Sequence, residues 1–171
     1  GLELGIKAIL DSGLARRGWV YLIAGSGPLE QQLKALAAAE AGRSIRFLGF
    51  LQPRENLALI AQADLFLLPS RVEPHGIVVG EAMAAGTPVL ASNVVGAARD
   101  LVKRGVSGDL FLAGDTNDLR RKLLDLEEKL PTMRTATRRV FDDWFARYSP
   151  IVVTPRVVAE MLAARARGAT A

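Results

Sequence analysis

The chain has 171 residues, half of them hydrophobic, with no cysteine, one histidine and a formal net charge of +4. That is the length of one domain with enough apolar residues for a packed core, and it excludes disorder, disulfides and thiolate metal sites and a His-rich metal cluster. No uncharged apolar run reaches the roughly 18 residues of a membrane span, and Gly-Leu-Glu-Leu-Gly-Ile-Lys at the start has no signal-peptide pattern; the lack of cysteine fits a cytoplasmic location, which is the expectation.

Leu2, Ile6, Ile9 and Leu10 share one helical face and predict a helix from Leu2 to Leu14. Trp19 to Ala24 predicts a strand that ends at Gly25-Ser26-Gly27-Pro28. Pro28 suits a first helical turn, and a helix over 28–41 follows. Ser44 to Leu48 is a second strand, closed by Gly49; Pro53 to Ala63 is a helix; Asp64 to Leu68 is a third strand. A helix from about Gly76 to Ala85 stops at Gly86. Pro88 to Ala91 is a fourth strand, and Asp109 to Leu112, after Val106-Ser107-Gly108, a fifth. Helices are predicted over 115–130 and 132–147, and a last one runs to about Arg167 beyond Pro150 and Pro155.

Short strands alternating with longer helices predict an α/β fold, a Rossmann-like parallel sheet with helices on both faces. Asp64-Leu65-Phe66-Leu67-Leu68 is apolar almost throughout, as a strand covered on both faces must be. Charge is divided unevenly. Residues 1–130 hold 15 Lys/Arg and 15 Asp/Glu, whereas residues 131–171 hold seven Arg and three acids. The basic tail reads either as a solvated helix face or as a contact with an anionic membrane surface. No nucleic-acid partner is expected. Phe141, Trp144, Phe145 and Tyr148 form a stripe predicted to be a buried helix face.

In open α/β sheets ligands sit beyond the carboxyl ends of the strands, on helix N-termini. Three loops fall there: Gly25-Ser26-Gly27-Pro28, Gly49-Phe50-Leu51, and Pro69-Ser70 running into Glu73 to Gly76. The third is the most specific. From Pro74 to Ala98, Glu81 is the only side chain with a formal charge, His75 being counted neutral. Among Gly, Ala, Val, Ile and Met, it reads as a buried carboxylate that needs a polar partner, and a ligand would supply one. The amides of Gly76, Ile77 and Val78 would be free first-turn donors, where the helix dipole favours an anion. Glu81 shares a helix face with Ile77 and Ala85, and its carboxylate could accept from two vicinal ribose hydroxyls. Glu73, eight positions earlier, would face what lies beyond the phosphate. Singly these signals are weak. Two glutamates at this spacing arise by chance, Gly25 and Gly27 read first as turn formers, Met83 reads as core, and His75 reads equally as an exposed loop residue.

The motifs gain weight in order. Val20-Tyr21-Leu22-Ile23-Ala24-Gly25-Ser26-Gly27-Pro28, Ile45-Arg46-Phe47-Leu48-Gly49-Phe50, and Ala63-Asp64-Leu65-Phe66-Leu67-Leu68-Pro69-Ser70 precede Glu73 to Gly76. Glu81-Ala82-Met83-Ala84-Ala85-Gly86-Thr87-Pro88-Val89 and Gly105-Val106-Ser107-Gly108 follow. The series closely resembles the C-terminal, donor-binding domain of family 4 glycosyltransferases, retaining enzymes of the GT-B fold. The resemblance covers about residues 1–130, leaving 131–171 as a helical, Arg-rich extension. It implies that Glu81 binds the ribose and that Glu73 lies by the donor sugar as the catalytic carboxylate. It places Gly76, Ile77 and Val78 near the diphosphate and sugar, Phe50 and Leu51 beside the base, and Gly25 at the donor site. His75 departs from the family's frequent Phe or Trp, so no role is carried over to it.

The implied reaction moves a sugar from a nucleoside diphosphate sugar to a hydroxyl, with retention, in glycan, polysaccharide or glycolipid synthesis. No cofactor and no metal are expected, because basic side chains and the helix N-terminus offset the leaving diphosphate's charge. Two alternatives stay open: a GT-B sugar-nucleotide epimerase, against which a single histidine counts, and a nucleotide-binding module without catalysis. The resemblance also implies a strand before Gly1, basic residues that grip the diphosphate, and an N-terminal acceptor domain as partner. In the strand order 3-2-1-4-5-6 the first strand would lie between Trp19–Ala24 and Asp64–Leu68. Those two strands then pair directly, leave a gap, or receive another chain. The expectation is a marginally stable donor half, inactive alone, with at most a peripheral place at the inner membrane face.

Overall fold

A computed structural model describes residues 1–149 and Ala159; the helix expected to run to Arg167 lies outside the described residues. Five short strands alternate with helices. β1 (Tyr21–Ala24) pairs in parallel with β2 (Ile45–Gly49). β3 (Phe66–Leu68), β4 (Val89–Ser92) and β5 (Gly108–Phe111) form a parallel sheet in that order. No ladder joins β1 to β3. The two strands expected to flank an absent neighbour therefore do not pair with each other.

The helices are α1 (Leu2–Ser12), α2 (Glu30–Ala37), α3 (Pro53–Gln62), α4 (Ile77–Ala84), α5 (Gly96–Leu101), α6 (Thr116–Glu127) and α7 (Leu130–Tyr148). They cover the sheets from two sides, over two apolar cores. Leu4, Ile6 and Ile9 of α1 meet Ile23, Ile45, Leu90 and Phe111, with Leu119, Leu123 and Leu126 of α6. Val79, Ala82 and Met83 of α4 meet Val89, Ala91, Ala98 and Leu110. β4 is apolar from Val89 to Ala91 because both of its faces are covered. Successive side chains point to opposite faces, so Leu90 enters one core while Val89 and Ala91 enter the other.

Local sequence accounts for several boundaries. Pro53 opens α3 behind a capping box of Gln52 and Glu55. The Asp115 carboxylate accepts from the Asp118 amide at 2.9 Å and caps α6. α5 was not expected, and the reason is physical. It is one and a half turns long and has no polar cap. Its first amides are satisfied from a distant loop instead: Gly96 N donates to Glu73 O at 3.2 Å and Ala97 N to His75 O at 2.7 Å.

α7 packs antiparallel on α4. Arg138 donates to Ala84 O at 2.7 Å, and Arg134 to Ala85 O at 3.3 Å and to Ala61 O and Ala63 O at 2.6 and 3.1 Å. Two of the tail's arginines thus cap the carboxyl ends of α3 and α4. The aromatic stripe divides. Phe141 and Trp144 pack on the second core, whereas Phe145 and Tyr148 are exposed. Among the described residues no helix is long and apolar enough to cross a membrane.

Candidate functional site at the carboxyl edge of the sheet

The chain direction brings the strand ends together. Gly1 lies against Pro69, so closely that a Cβ there would be 1.8 Å from the Pro69 carbonyl oxygen. The start of α1 is thereby fixed at the carboxyl end of β3. α1 runs back across the sheet and β1 returns, which brings Gly25 to the same edge. Gly25 N donates to Gly49 O at 2.7 Å, so the loops after β1 and β2 are adjacent. Beyond them Phe50 is 71% exposed and Leu51 half-buried. Among the described residues no hydrogen bond joins these two loops to the one after β3.

The loop after β3 is held rigidly. The Glu73 Oε1 atom accepts from the amides of His75 at 3.1 Å and Gly76 at 2.9 Å. The backbone of Glu73 also bridges to Val95. Gly76 sits at φ +76°, and a Cβ on it would fall 2.5 Å from Val95 Cγ1. Only glycine meets both demands. Gly96 is the opposing close approach, since a Cβ there would lie 2.1 Å from Pro74 O. Ser92, at the end of β4, donates through its hydroxyl to Ser70 O at 2.5 Å.

Two sequence readings are corrected here. The Gly76 amide is not a free donor, because Glu73 already takes it. Ile77 and Val78 keep first-turn N–H groups without an intrahelical acceptor. Glu81 is not buried but exposed, and among the described residues no hydrogen bond or ion pair holds it. Its apolar neighbours in sequence turn inward to the second core, where Val79, Ala82 and Met83 are buried, and leave Glu81 on the outer ridge. Ile77, one turn earlier on that ridge, is 77% exposed. His75 is exposed, Gly76 buried and Val78 half-buried.

The structure also adds residues. Arg71, the cation of this loop, donates to Glu3 Oε1 at 3.0 and 2.8 Å. Burial raises the Glu3 carboxyl, but Arg71's hydrogen bond, a backbone amide and the charges of the N-terminus and Arg71 more than offset it. The pKa is lowered on balance. Val95 and Gly96 were missed too; the glycine inside the apolar run Val94-Val95-Gly96-Ala97-Ala98 was the available signal.

Parallel strands under two helical layers, with loops and a short helix start gathered at the carboxyl edge, have the arrangement of a Rossmann-like half of a GT-B glycosyltransferase. The chain belongs to the family described as glycosyl transferases group 1, which it matches over residues 1–140. It is 34% identical over 149 residues to a 2-deoxystreptamine glucosyltransferase of Streptomyces kanamyceticus, with 85% of this chain and 38% of that protein covered. It is 36% identical over 148 residues to a glycogen synthase of Mycobacterium tuberculosis, covering 84% of this chain and 36% of that one. The structure of Anabaena HepE with UDP and glucose superposes with a TM-score of 0.69 at 25% identity, over 96% of this chain and 45% of HepE. The chain therefore spans less than half the length of each of these relatives.

Proposed function

We propose that this chain is the donor-binding half of a retaining glycosyltransferase that moves a sugar from a nucleoside diphosphate sugar to a hydroxyl acceptor. One observation carries the reading. Glu81 stands exposed on the ridge of α4, without a partner among the described residues, one turn past the open amides of Ile77 and Val78, in a helix with no other formal charge. A diphosphate at the helix start would meet those amides and the positive end of the helix dipole. A ribose lying along the ridge would offer two hydroxyls to one carboxylate. Ile77 would lose water to the same ligand.

Glu73 takes a narrower part than its place beside the sugar suggests. Its Oε1 is committed to the loop amides, so Oε2 is the oxygen left to accept from a sugar hydroxyl. A carboxylate so held keeps the loop in position and can help to stabilise positive charge developing at the anomeric carbon. Phe50 supplies an exposed ring for the base, with Leu51 behind it. HepE, which shares the fold, has been solved with UDP and with UDP-glucose, and this favours a uridine or similar diphosphate. Retention, the hexosyl donor and a role in glycan, polysaccharide or glycolipid synthesis belong to the same proposal.

Calorimetry with UDP, GDP and ADP tests it. Glu81→Ala should weaken binding of the preferred nucleotide at least roughly tenfold, the scale of one lost charge-assisted hydrogen bond. An exposed side chain should leave the melting temperature unchanged. Equal affinity of the two proteins would remove the ribose assignment.

A further inference from the structure

The loops at the carboxyl edge are short of positive charge. Those that follow the strands, residues 25–29, 50–52, 69–76, 93–95 and 112–115, contain one Lys or Arg between them, Arg71. A diphosphate brings several negative charges, and the start of a helix answers with only about half an elementary charge. The side chain of Arg71 is 58% exposed, yet it is held in place. Its Nε and Nη2 atoms donate to Glu3 Oε1 at 3.0 and 2.8 Å, and Nη1 lies 3.4 Å from where a Cβ on Gly114 would stand. The guanidinium thus reaches from the loop after β3 to the first turn of α1 and to the loop after β5. Among the described residues Glu3 is its one acceptor, so both N–H groups of Nη1 and the second of Nη2 are unspent.

We infer that Arg71 is a donor-binding residue that gives these open N–H groups to the diphosphate; the place of that diphosphate rests on the sugar-nucleotide reading of α4. Position supports this. α1 and α4 pack in different cores but start at the same edge of the sheet. β3 ends between them, and Arg71 follows in the same rigid loop as Glu73 and Gly76. Chemistry supports it too. A planar guanidinium meets two phosphate oxygens as a fork. Nε and one N–H of Nη2 hold Glu3 from the side, which leaves the end-on fork of Nη1 and Nη2 free. Arg71 can therefore take a phosphate without releasing Glu3. Glu3 then has two effects. It fixes the guanidinium at the edge, and it competes with the incoming phosphate for the positive charge. An ion pair that only ties α1 to the loop has no such second effect, so the sign of a Glu3 substitution tells the two apart.

Calorimetry on the full chain tests this with pyrophosphate, with the preferred of UDP, GDP and ADP, and with the matching nucleoside. Arg71→Gln should weaken the nucleoside diphosphate and pyrophosphate roughly tenfold or more and leave the nucleoside unchanged. Arg71→Lys keeps the charge but not the fork and should lose less. Glu3→Gln frees the guanidinium and should bind both phosphate ligands at least as tightly as the parent. Arg54→Gln removes an equal charge from the first turn of α3, at the same edge, and should leave all three affinities unchanged. Four results would overturn the inference: a parent that binds neither phosphate ligand, an Arg71→Gln variant that binds them as the parent does, a Glu3→Gln variant weakened alongside Arg71→Gln, or an Arg54→Gln variant weakened equally. If Arg71→Gln loses pyrophosphate but the parent holds the nucleoside diphosphate no more tightly than pyrophosphate, Arg71 keeps its phosphate role and the sugar-nucleotide reading alone fails.

Discussion

Gly76→Ala separates two costs that the candidate site imposes at one position. The backbone there has φ +76°, a left-handed conformation that costs an L side chain about 1–2 kcal/mol. The new methyl would also lie 2.5 Å from Val95 Cγ1, and forcing an extra carbon into packed surroundings costs about 1–3 kcal/mol. The expected loss is therefore about 2–5 kcal/mol, a large share of a domain's stability. Urea unfolding followed by circular dichroism reads it as a lower midpoint at unchanged slope. Val95→Ala supplies the control. It removes the opposing methyl but leaves φ alone, so its cost should be smaller in the Gly76→Ala background than in the parent. The coupling should be about 1 kcal/mol or more, against about 0.5 kcal/mol for additive sites. A loss below about 0.5 kcal/mol, or an additive cycle, would refute the claim that the loop and the α5 start are locked by this contact.

Glu73→Ala removes the acceptor of the His75 and Gly76 amides and should cost about 0.5–2 kcal/mol, measured as a lower melting temperature. Glu73→Gln retains an acceptor oxygen and should keep most of that stability. Arg134→Ala deprives the carbonyls of Ala61, Ala63 and Ala85 of their donor and should cost about 1 kcal/mol, with faster exchange at the ends of α3 and α4. Stability should also fall at both extremes of pH. Glu3 and Asp118 are both held below their usual range; a lowered carboxyl stabilises above its unfolded pKa of about 4 and loses that contribution as pH falls through the folded value. Tyr21 is raised, by burial first and by the Glu3 carboxylate second; its contribution is complete below the unfolded pKa of about 10 and is lost as pH rises beyond it. Melting temperatures across pH should show both limbs, and Tyr21→Phe should remove the alkaline one; an alkaline limb that persists in Tyr21→Phe would refute its assignment to this residue.

The order of the elements other than α5 was legible because each of those rests on local information. Pro53 with its capping box, Asp115 at the α6 cap, and the apolar β4 run all carry their instructions in neighbouring residues. α5 was not legible, because its first amides are satisfied by Glu73 and His75 some twenty residues earlier. The aromatic stripe on α7 misled for a related reason. Periodicity gives the face of a helix but not the length over which a partner covers it. Phe141, opposite Gly80 of α4, and Trp144 still pack on the second core, and Phe145 and Tyr148 extend beyond the buried stretch.

Glu81 carries the most instructive difference. In sequence it was a charge among apolar residues, and burial seemed to demand a partner. In the structure the apolar residues are turned inward, and the desolvation argument for the carboxylate is gone. What replaces it is a neighbour. Ile77 lies on the same ridge at 77% exposure, at the mouth of the first turn. A lone exposed isoleucine needs no explanation. An exposed isoleucine one turn from an unpaired carboxylate, beside two open amides, forms a strip that is apolar, donating and accepting over a few ångströms. Water satisfies the amides and the carboxylate but not the isoleucine. A nucleoside diphosphate would meet all three, through its phosphate, its ribose hydroxyls and the face of the ribose. Ile77→Ala should therefore weaken nucleotide binding without loss of stability, whereas Ile77→Asp should repel the diphosphate and weaken it further. If both variants bind as the parent does, the ridge is not where the nucleotide lies.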